Sequence, residues 1–459
     1  MIDFYKKQVL VLGLGRSGVA ACRLLKAKGA AVVGWDQKEE EDLSREALSL
    51  REEGVSLEVG FKADKLPKEV DILVASPGVP LDLPIFREAG KRDIPVISEV
   101  ELAYQLMGDC PLVAVTGTNG KTTTTTLIYA ILKEAGCKVE VGGNIGRPLT
   151  EVASSLEKGT TVVAEISSFQ LETILDFRPK ISIILNLSPD HLDRHPTEDD
   201  YLRAKARIFL NQREDDFCIL NKDDPLVCSL KEEPKAKIIF FSKEEIEEGI
   251  FLKEKKIVSR LFGQEEELFD TGELSIPGPH NLENVLAACG ALMLLGVEKE
   301  AIRQTLREFK GLKHRTEFVG EQKGVRFVND SKATNVDATL RALEAIDSPI
   351  ALIAGGQDKG SSLSPLKEVI REKVEALILM GEAKERFARE LTGLANIYLV
   401  SGLREAVNKA YSLAWPGWTV LLSPACASFD MFKDYQERGE TFKKMVEELK
   451  ENKTTNRHK

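Results

Sequence analysis

The chain has 459 residues, of which 30% are charged and 43% hydrophobic, and it carries a net charge of −10. This acidic balance excludes the overall basic charge typical of nucleic-acid-binding proteins, so anionic ligands must meet local lysines, arginines and helix ends. The lack of a long apolar run, of a signal peptide and of any C-x-x-C pair among seven cysteines predicts a cytoplasmic protein with reduced core cysteines and no membrane insertion.

Strands and helices alternate over the first predicted domain, residues 1–102. The predicted strands are 8–12, 31–35, 70–75 and 96–98. Residues 13–18 have G-x-G-x-x-G spacing and open a helix, and Asp36 stands at the end of the second strand. This spacing is typical of a dinucleotide fingerprint with its acidic ribose ligand. Because about four strands suffice for only one mononucleotide-binding half, we expect a nucleotide of some kind rather than NAD.

The second predicted domain, residues 103–311, contains Thr-Gly-Thr-Asn-Gly-Lys-Thr-Thr-Thr at 116–124. An apolar strand is predicted before this stretch and an amphipathic helix over 125–136 after it. Strand, glycine-containing turn, Lys-Thr and helix form a phosphate-binding arrangement, in which Lys121 reaches the terminal phosphates and Thr122 faces Mg²⁺. The alternative is an ordinary strand–turn–helix connection, and Lys-Thr at the helix start argues against it.

Two further apolar runs, 160–164 and 181–185, predict strands buried on both faces of a parallel sheet. Since ligands bind beyond the carboxyl ends of such strands, we expect Glu165 and His191 at the same edge as Lys121. Glu165 is predicted to be an oxygen ligand for Mg²⁺ rather than a surface carboxylate or helix cap. His191 is a metal ligand or a structural hydrogen-bonding residue.

Other residues of this domain are explained by structure alone. Lys205 lies on a predicted helix between two alanines, and the sequence by itself predicts a solvated charge there. Asn281 opens another helix and is a candidate N-cap. His195, and His314 in the third predicted domain, are expected to have structural roles. The charged stretch 253–267 predicts an exposed hairpin or loop.

The third predicted domain, residues 312–459, contains three apolar strands that each end in a polar or glycine-rich loop. The strands are 325–328, 350–354 and 419–422, and the loops are Asn-Asp-Ser-Lys-Ala-Thr-Asn, Gly-Gly-Gln-Asp-Lys-Gly and Ser-Pro-Ala-Cys-Ala-Ser. Loops at the ends of α/β strands commonly carry function, so we expect a binding site here.

Several stretches together resemble the Mur ligase family. They are Gly-Thr-Asn-Gly-Lys-Thr-Thr, Glu-Ile-Ser-Ser-Phe-Gln-Leu-Glu, Asn-Leu-Ser-Pro-Asp-His-Leu-Asp-Arg-His, His-Asn-Leu-Glu-Asn, Lys-His-Arg, Asn-Asp-Ser-Lys-Ala-Thr-Asn and Ser-Pro-Ala-Cys-Ala-Ser-Phe-Asp. The match covers essentially the whole chain in family order. The resemblance implies an α/β fold of three domains: a Rossmann-like UDP-substrate domain, a central P-loop ATPase with a parallel sheet, and a Rossmann-like C-terminal domain.

The resemblance also implies ATP-dependent amide formation in peptidoglycan precursor synthesis. ATP phosphorylates the carboxylate of UDP-N-acetylmuramoyl-L-alanine, and the amine of D-glutamate displaces the phosphate. The alternative is another Mur-type or folylpolyglutamate-type amino-acid ligase. The loop Ser-Pro-Ala-Cys-Ala-Ser favours D-glutamate, and the chain lacks the Asp-Asn-Pro-Arg motif of the diaminopimelate branch. A monomer without a nucleic-acid partner is expected.

The resemblance assigns roles to individual residues. ATP is bound by Gly117, Thr118, Asn119, Gly120, Lys121, Thr122, Thr123, Asn281, Asn284, Arg315 and Asp330. Two Mg²⁺ ions, with Mn²⁺ as a substitute, are held by Thr122, Glu165, His191 and a carbamylated Lys205. The catalytic residues are Lys121, Glu165, His191, Lys205 and Lys332. The UDP-substrate is bound by Gly15, Arg16, Ser17, Asp36, Gln37, Ser76, Gly78, Asn144 and Gln170. D-Glutamate is bound by Thr334, Lys359, Ser428, Phe429 and Tyr435.

Two other classes of protein fit part of the pattern. A nicotinamide oxidoreductase would explain residues 13–18 and Asp36 but leaves Lys121 and Thr122 unexplained. A non-catalytic regulator would bind a nucleotide and switch partners without turnover.

Overall fold

The computed structural model describes residues 2–60, 65–188, 194–195, 197–276, 278–346, 349–358 and 360–451. Its contacts divide the chain into two units, Met1–Leu274 with Glu283–Glu308, and Ser275–Leu282 with Phe309–Lys459. The first unit contains a five-stranded and a nine-stranded sheet, and the second a six-stranded sheet. The fold is thus α/β with three sheets, while the exact residue bounds of the three domains stay a prediction.

The first sheet is formed by β1 (Gln8–Leu12), β2 (Ala31–Asp36), β3 (Ser56–Val59), β4 (Ile72–Ala75) and β5 (Val96–Ser98). The accompanying helices are α1 (Arg16–Ala27), α2 (Arg45–Ser49), α3 (Pro84–Lys91) and α4 (Glu99–Leu106). All pairs are parallel, in the order β3-β2-β1-β4-β5. This is the strand order of a mononucleotide-binding half with its two neighbours, and β3 is a strand that the sequence analysis missed.

The second sheet is formed by β6 (Leu112–Thr116), β7 (Val139–Gly143), β8 (Thr161–Glu165), β9 (Ile181–Ile184), β10 (Phe217–Asn221), β11 (Lys237–Ser242), β12 (Gly249–Lys253), β13 (Lys256–Leu261) and β14 (Gln264–Asp270). The helices that follow in the chain are α5 (Lys121–Glu134), α6 (Leu149–Ala153), α7 (Ser168–Leu171), α8 (Glu198–Ala206), α9 (Pro225–Ser229), α10 (Pro279–Leu294) and α11 (Lys299–Glu308). The order is β14-β13-β12-β11-β10-β9-β6-β8-β7. Only the β12-β13-β14 edge is antiparallel, which confirms the predicted hairpin.

The third sheet is formed by β15 (Glu317–Gln322), β16 (Val325–Asn329), β17 (Ile350–Gly355), β18 (Val374–Met380), β19 (Asn396–Leu399) and β20 (Thr419–Leu422). Its helices are α12 (Val336–Ala345), α13 (Lys367–Lys373), α14 (Lys384–Glu390), α15 (Leu403–Leu413) and α16 (Tyr435–Glu451). The order is β15-β16-β20-β17-β18-β19, and only β15 runs antiparallel to its neighbour.

The central strands of the second sheet bring the candidate site together. Every residue of β6 and β9 is buried, as their continuous apolar sequences predict for strands covered on both faces. In the parallel register, Val115 pairs with Glu165 and Thr116 with Ile184. The carboxyl ends of β6, β8 and β9 therefore lie side by side at one edge of the sheet.

The cysteines are free thiols, but they do not all lie in the core as the sequence analysis expected. Four are buried, namely Cys22, Cys218, Cys289 and Cys426, and burial raises the pKa of each thiol to about 12. Cys137 is exposed, and Cys110 and Cys228 are half-buried. Across the described part of the chain, we find no helix with the length and apolarity needed to cross a bilayer.

The carboxylate of Glu101 joins α4 to the loop that precedes β9. It is fully buried and accepts hydrogen bonds from the backbone N–H groups of Leu175, Asp176 and Phe177 at 2.9–3.1 Å, and from the Gln105 side chain at 2.6 Å. We expect Glu101→Gln to lower the free energy of unfolding by about 2–4 kcal/mol, because an amide presents one acceptor oxygen to these donors and turns its NH₂ toward others.

The midpoint of urea denaturation measures this loss. The exposed Glu134 at the end of α5 provides the matched control, since Glu134→Gln removes the same charge from a solvated position and is expected to change stability by less than about 0.5 kcal/mol. Equal midpoints for the two variants would contradict the prediction.

Candidate functional site

The loop between β6 and α5 has the geometry of a phosphate-binding turn. Gly120 caps α5 with φ +84°, and a Cβ there would lie 2.1 Å from Oδ1 of Asn284, so only glycine fits. The Lys121 ammonium donates to the carbonyl oxygens of Gly117 and Thr118, both at 2.8 Å. The helix begins at Lys121, four residues before the predicted start at 125, so its first-turn N–H groups border the loop.

Asn186, two residues beyond the end of β9, holds this loop in place. Its carbonyl oxygen accepts from the Thr118 N–H at 3.0 Å, and its side chain accepts from the Asn119 N–H at 2.9 Å and donates to the Asn119 carbonyl at 3.1 Å. The sequence analysis did not assign a role to Asn186. Its place just beyond a buried strand was the available signal, because the polar residue that follows such a strand lies at the ligand-binding edge.

Glu165 at the end of β8 is buried beside the start of α5. It is 2% exposed, so the surface-carboxylate interpretation is wrong, and the cap of the following helix α7 is Ser167 instead. One carboxylate oxygen accepts from the Thr122 hydroxyl at 2.7 Å and the other from the Asn144 amide at 2.7 Å. A hydroxyl and a carboxylate thus stand together at the phosphate-binding turn.

Lys205 on α8 is buried, so the solvated-charge interpretation is wrong. It is 1% exposed, donates to the Gly117 carbonyl oxygen at 2.8 Å, and stands 4.2 Å from the ring centroid of Tyr201. Tyr201 lies one helical turn before Lys205 and contacts its ammonium. The two flanking alanines do not share this face, since adjacent positions on a helix face different directions. Lys121 donates to the same oxygen, so two lysine side chains converge on one carbonyl group.

Three more residues predicted for ATP lie on α5 and α10. Thr123 is buried in the first turn of α5, and Asn284, also buried, accepts from the Thr124 hydroxyl at 3.3 Å. Asn281 is the third residue of α10 and half-buried, so its interpretation as an N-cap is wrong. His191 lies outside the described residues, and among those described no group of three or more His, Cys, Asp or Glu side chains is arranged to hold a metal.

A cavity of about 780 Å³ lies between the carboxyl end of the first sheet and the second sheet. All nine residues predicted for the UDP-substrate line it: Gly15, Arg16, Ser17, Asp36, Gln37, Ser76, Gly78, Asn144 and Gln170. The apolar wall of the cavity was not predicted; it includes Leu12, Trp35, Val79, Pro80 and Leu83. The volume and the mixture of apolar wall and few polar groups are those of a small-molecule site.

The glycine-rich turn at one end of this cavity is fixed by side chains. The Asp36 carboxylate accepts from the backbone N–H groups of Leu14 at 2.6 Å and Lys38 at 3.0 Å. The Ser76 hydroxyl donates to the Gly13 carbonyl at 2.8 Å. Asp36 therefore stabilises the turn itself while it also lines the cavity.

In the second unit, the three predicted loops meet at one sheet edge. β20 lies between β16 and β17, and Gln357 bridges to Ala427. The buried Arg438 of α16 donates to the carbonyl oxygens of Ser331 at 2.8 Å and Cys426 at 3.2 Å, which ties two of the loops together. Burial lowers the pKa of Arg438 to about 10, so it stays cationic at neutral pH. The helix pattern alone did not distinguish Arg438 from surface arginines.

Residues predicted for the acyl phosphate and D-glutamate lie on these loops. The Lys332 ammonium stands 4.1 Å from the ring centroid of Tyr435, and Thr334 is half-buried beside it in the chain. Ser428 is 1% exposed, and within the described ranges its hydroxyl makes no hydrogen bond. Phe429 is 67% exposed and contributes no enclosed surface. Lys359 lies outside the described residues.

Two histidines have structural contacts. His195 is buried, lies 3.0 Å from the Ser168 hydroxyl and packs on Phe169, and burial lowers the pKa of its imidazole. His314 is buried with its Nδ1 atom 3.0 Å from the Asn329 amide, and burial again lowers the imidazole pKa. Both rings are therefore neutral packing and hydrogen-bonding groups at neutral pH.

Asp330, at the end of β16, is a buried carboxyl group. It accepts from the Thr316 N–H at 3.1 Å and from the Ser423 hydroxyl at 2.8 Å. Burial raises the pKa of Asp330 from 3.8 to about 7, and the charges of Arg315 and Arg438 only partly oppose this rise. The carboxyl thus changes its charge near neutral pH.

This pKa makes stability depend on pH. Because the folded pKa lies above the unfolded one, the contribution of Asp330 is fully present below about pH 4 and is lost as pH rises through about 7. Relative to Asp330→Asn, the native protein should lose on the order of 4 kcal/mol between about pH 4 and pH 8. Thermal unfolding of the native protein and of Asp330→Asn across this pH range checks the direction of the change in stability. If the melting temperatures of the two proteins change in parallel with pH, the prediction is wrong.

Three family profiles match successive parts of the chain. Residues 7–98 match the Mur ligase MurD-like N-terminal domain, residues 115–292 the Mur ligase middle domain, and residues 314–426 the glutamate ligase domain of Mur ligases. Together these matches cover the three sheets.

Two similar curated proteins match nearly end to end. The UDP-N-acetylmuramoylalanine--D-glutamate ligase of Pelotomaculum thermopropionicum is 48% identical over 98% of this chain and 99% of its own length. The protein of the same name from Caldanaerobacter subterraneus is 46% identical over 98% of this chain and 100% of its own.

Solved structures share the fold at lower identity. MurF from Acinetobacter baumannii has a TM-score of 0.61 at 17% identity, covering 96% of this chain and 91% of its own. A pseudomurein peptide ligase type C from Methanothermus fervidus has a TM-score of 0.59 at 20% identity, covering 96% of this chain and 100% of its own. With the profile matches and the near-full-length identities, these findings show that the chain belongs to the Mur ligase family, among its MurD-like members.

Proposed function

We propose that this protein is an ATP-dependent ligase that adds D-glutamate to UDP-N-acetylmuramoyl-L-alanine in peptidoglycan precursor synthesis. The observation that carries the proposal is the identity of nearly half the residues, over almost the whole chain, with proteins named as that ligase. The two other classes considered from the sequence, an oxidoreductase and a non-catalytic regulator, have no comparable support.

The geometry of the first unit agrees with this reaction. Asn144 lines the 780 Å³ cavity and also donates to Glu165, which in turn accepts from Thr122 at the start of α5. The cavity proposed for the UDP-sugar and the turn proposed for the ATP phosphates are therefore neighbours. A substrate that lies in the cavity with its alanyl carboxylate toward Asn144 would present that carboxylate to the terminal phosphate.

In the first step, a carboxylate oxygen attacks the γ-phosphorus and the bond to the β-phosphate oxygen breaks, which yields an acyl phosphate and ADP. We assign the phosphates to the loop of residues 117–120 and to the N–H groups at the start of α5, where the Lys121 ammonium offsets their charge. Asn281, Asn284, Arg315 and Asp330 are proposed contacts of the nucleotide. Positioning and charge stabilisation supply most of the catalysis in such transfers.

In the second step, the amine nitrogen of D-glutamate attacks the acyl carbon, the bond to the phosphate oxygen breaks and the nitrogen loses its proton. We assign the amino acid to the loops that carry Thr334, Lys359, Ser428, Phe429 and Tyr435. The Lys332 cation, held over the Tyr435 ring, is suited to stabilise charge on the acyl phosphate.

The donor set beside α5 fits Mg²⁺. Thr122 and Glu165 offer a hydroxyl and a carboxylate 2.7 Å apart, and Mg²⁺ is usually bound by one or two carboxylates plus phosphate oxygens. We propose that these residues hold one ion, and that His191 and a carbamylated Lys205 hold a second; Mn²⁺ is a substitute. When bound, the ions neutralise phosphate charge so that the carboxylate can approach.

We propose, as the family resemblance implies, that the protein acts as a monomer. Because its substrates are ATP and a UDP-linked precursor, we place the protein in the cytoplasm, without a nucleic-acid partner and without insertion into a membrane.

The test is an amino-acid panel. ADP release is measured with UDP-N-acetylmuramoyl-L-alanine and each of D-glutamate, L-glutamate, L-alanine and meso-diaminopimelate. We expect turnover with D-glutamate alone, and reactions without the UDP-substrate provide the background. Turnover with another amino acid and none with D-glutamate would overturn the proposal in favour of a different Mur-type or a folylpolyglutamate-type ligase.

A further inference from the structure

The side chain of Arg194 joins parts of both sheets in the first unit. Its guanidinium forks onto the two carboxylate oxygens of Glu172, with Nε 3.1 Å from Oε1. The remaining nitrogen donates to the carbonyl oxygens of Val79 at 3.2 Å and Pro77 at 3.4 Å. Its plane also lies 4.7 Å from the ring centroid of Phe169. The side chain is only 18% exposed, so these contacts are largely shielded from water.

The residues that contact Arg194 belong to two chain segments that line different sides of the large cavity. Pro77 and Val79 follow β4 and line the cavity on the side of the first sheet. Phe169 and Glu172 flank Gln170, which lines the cavity on the side of the second sheet. Gln170 is itself fixed, because its side chain accepts from the Ser167 N–H at 2.9 Å in a capping box. A displacement of either wall would break contacts to Arg194.

We propose that Arg194 is a positioning residue that clamps the two walls of this cavity and so sets the affinity for the sugar-nucleotide substrate. The inference rests on the proposed function, since it takes the cavity as the UDP-substrate site. Arg194 acts through the walls, because it does not itself line the cavity and most of its donors are engaged by Glu172, Pro77 and Val79.

A guanidinium is needed for this task. It presents donors along both edges of a rigid plane, so that it can bind a carboxylate with one edge and backbone carbonyls with the other. A lysine ammonium keeps the charge but is a single point that cannot span Glu172 and the Pro77–Val79 loop in one geometry. Arg194→Lys therefore removes the clamp with the smallest change in charge and volume.

The matched control is Arg178→Lys in the same unit. Arg178 also forks onto a carboxylate, with Nε 2.6 Å and Nη2 3.1 Å from the two oxygens of Asp216, and it is similarly shielded at 23% exposed. Neither residue of that pair lines the cavity. Arg178→Lys therefore removes an equivalent two-point contact with a carboxylate but changes neither wall of the cavity.

The experiment compares KM, kcat and ligand binding of both variants with those of the native enzyme. We expect Arg194→Lys to raise KM for the UDP-substrate at least tenfold, with kcat changed by less than threefold and calorimetric affinity for ADP unchanged. Arg178→Lys should leave KM, kcat and the affinity for ADP unchanged, even if the two variants have similarly lowered melting temperatures. Glu172→Gln, which keeps one acceptor oxygen, should give a smaller rise in the same KM.

Three outcomes overturn the clamp: an unchanged KM in Arg194→Lys, an equal rise in Arg178→Lys, or a loss confined to kcat. Calorimetry with UDP alone separates this failure from a failure of the proposed function. If the native protein binds UDP and Arg194→Lys binds it equally well, the clamp is wrong and the cavity assignment stands. If the native protein does not bind UDP, the assignment of the cavity fails and the clamp with it.

Discussion

Replacing Lys121 with alanine is expected to reduce ADP formation by about 10³-fold or more, the scale of loss when a cation that stabilises a transferring phosphoryl group is removed. The ammonium stands at the amino end of α5, 2.8 Å from two loop carbonyl oxygens, where the triphosphate is proposed to bind. Alanine keeps the helix, since it is the best helix former, and removes only the cation. The loss should therefore appear in kcat, measured at saturating substrates.

Lys133 supplies the control, because it is an exposed lysine near the other end of the same helix. Lys133→Ala should retain nearly full activity. In Lys121→Ala, the affinity for UDP should stay within about twofold, because Lys121 does not line the cavity assigned to the UDP-substrate. A Lys121→Ala enzyme that keeps more than a tenth of native kcat would show that the turn does not bind the reacting phosphate.

The central strands could be predicted because burial on both faces leaves a continuous apolar run. β6 and β9 are of this kind, and the polar residues after them could be assigned to the ligand edge from strand direction alone. β3 was missed for the opposite reason. It is an edge strand of four residues with exposed positions at Ser56 and Glu58, and such a polar alternation resembles a loop.

The apolar helical period begins later in the chain than α5 itself, because the residues at the true start of the helix have low helix propensity. Thr122 to Thr126 are β-branched residues of low helix propensity, and the apolar period begins only at Leu127. The phosphate-binding turn fixes the start instead, with Gly120 in a left-handed conformation and Lys121 already helical. Tertiary packing outweighs propensity here.

The site residues that escaped prediction act through contacts distant in sequence. Asn186 supports a loop 67 residues earlier, and Arg194 reaches carbonyl groups 115 and 117 residues earlier. Hydrophobic periodicity carries no information about such pairs. Lys205 is a mixed case, since the helix pattern predicted a solvated charge, the family resemblance assigned it to the site, and the fold shows it buried against the phosphate-binding turn.

We expect Lys205→Ala to lower activity by about 10²–10³-fold, the effect of removing a preorganised electrostatic group from an active site. The buried Lys205 and the half-buried Lys121 donate to the same Gly117 oxygen, so two ammonium groups stand close together, and like charges repel. Loss of a proton from the Lys205 ammonium, addition of CO₂ to the neutral amine and loss of a second proton would replace that cation with an anionic carbamate. The repulsion becomes an attraction, and the product is an oxygen ligand of the kind Mg²⁺ prefers.

Acetate distinguishes the carbamate from the ammonium. If the missing group in Lys205→Ala is a carboxylate-like anion, acetate should enter the vacated volume and partly restore kcat. The same acetate should not restore Lys121→Ala, which lacks a cation. Native enzyme incubated with ¹³C-bicarbonate should show a carbamate carbon resonance that Lys205→Ala lacks. Full activity of Lys205→Ala would mean that turnover needs no group at this position. Rescue by methylammonium in place of acetate would mean that Lys205 acts as a simple cation beside Gly117.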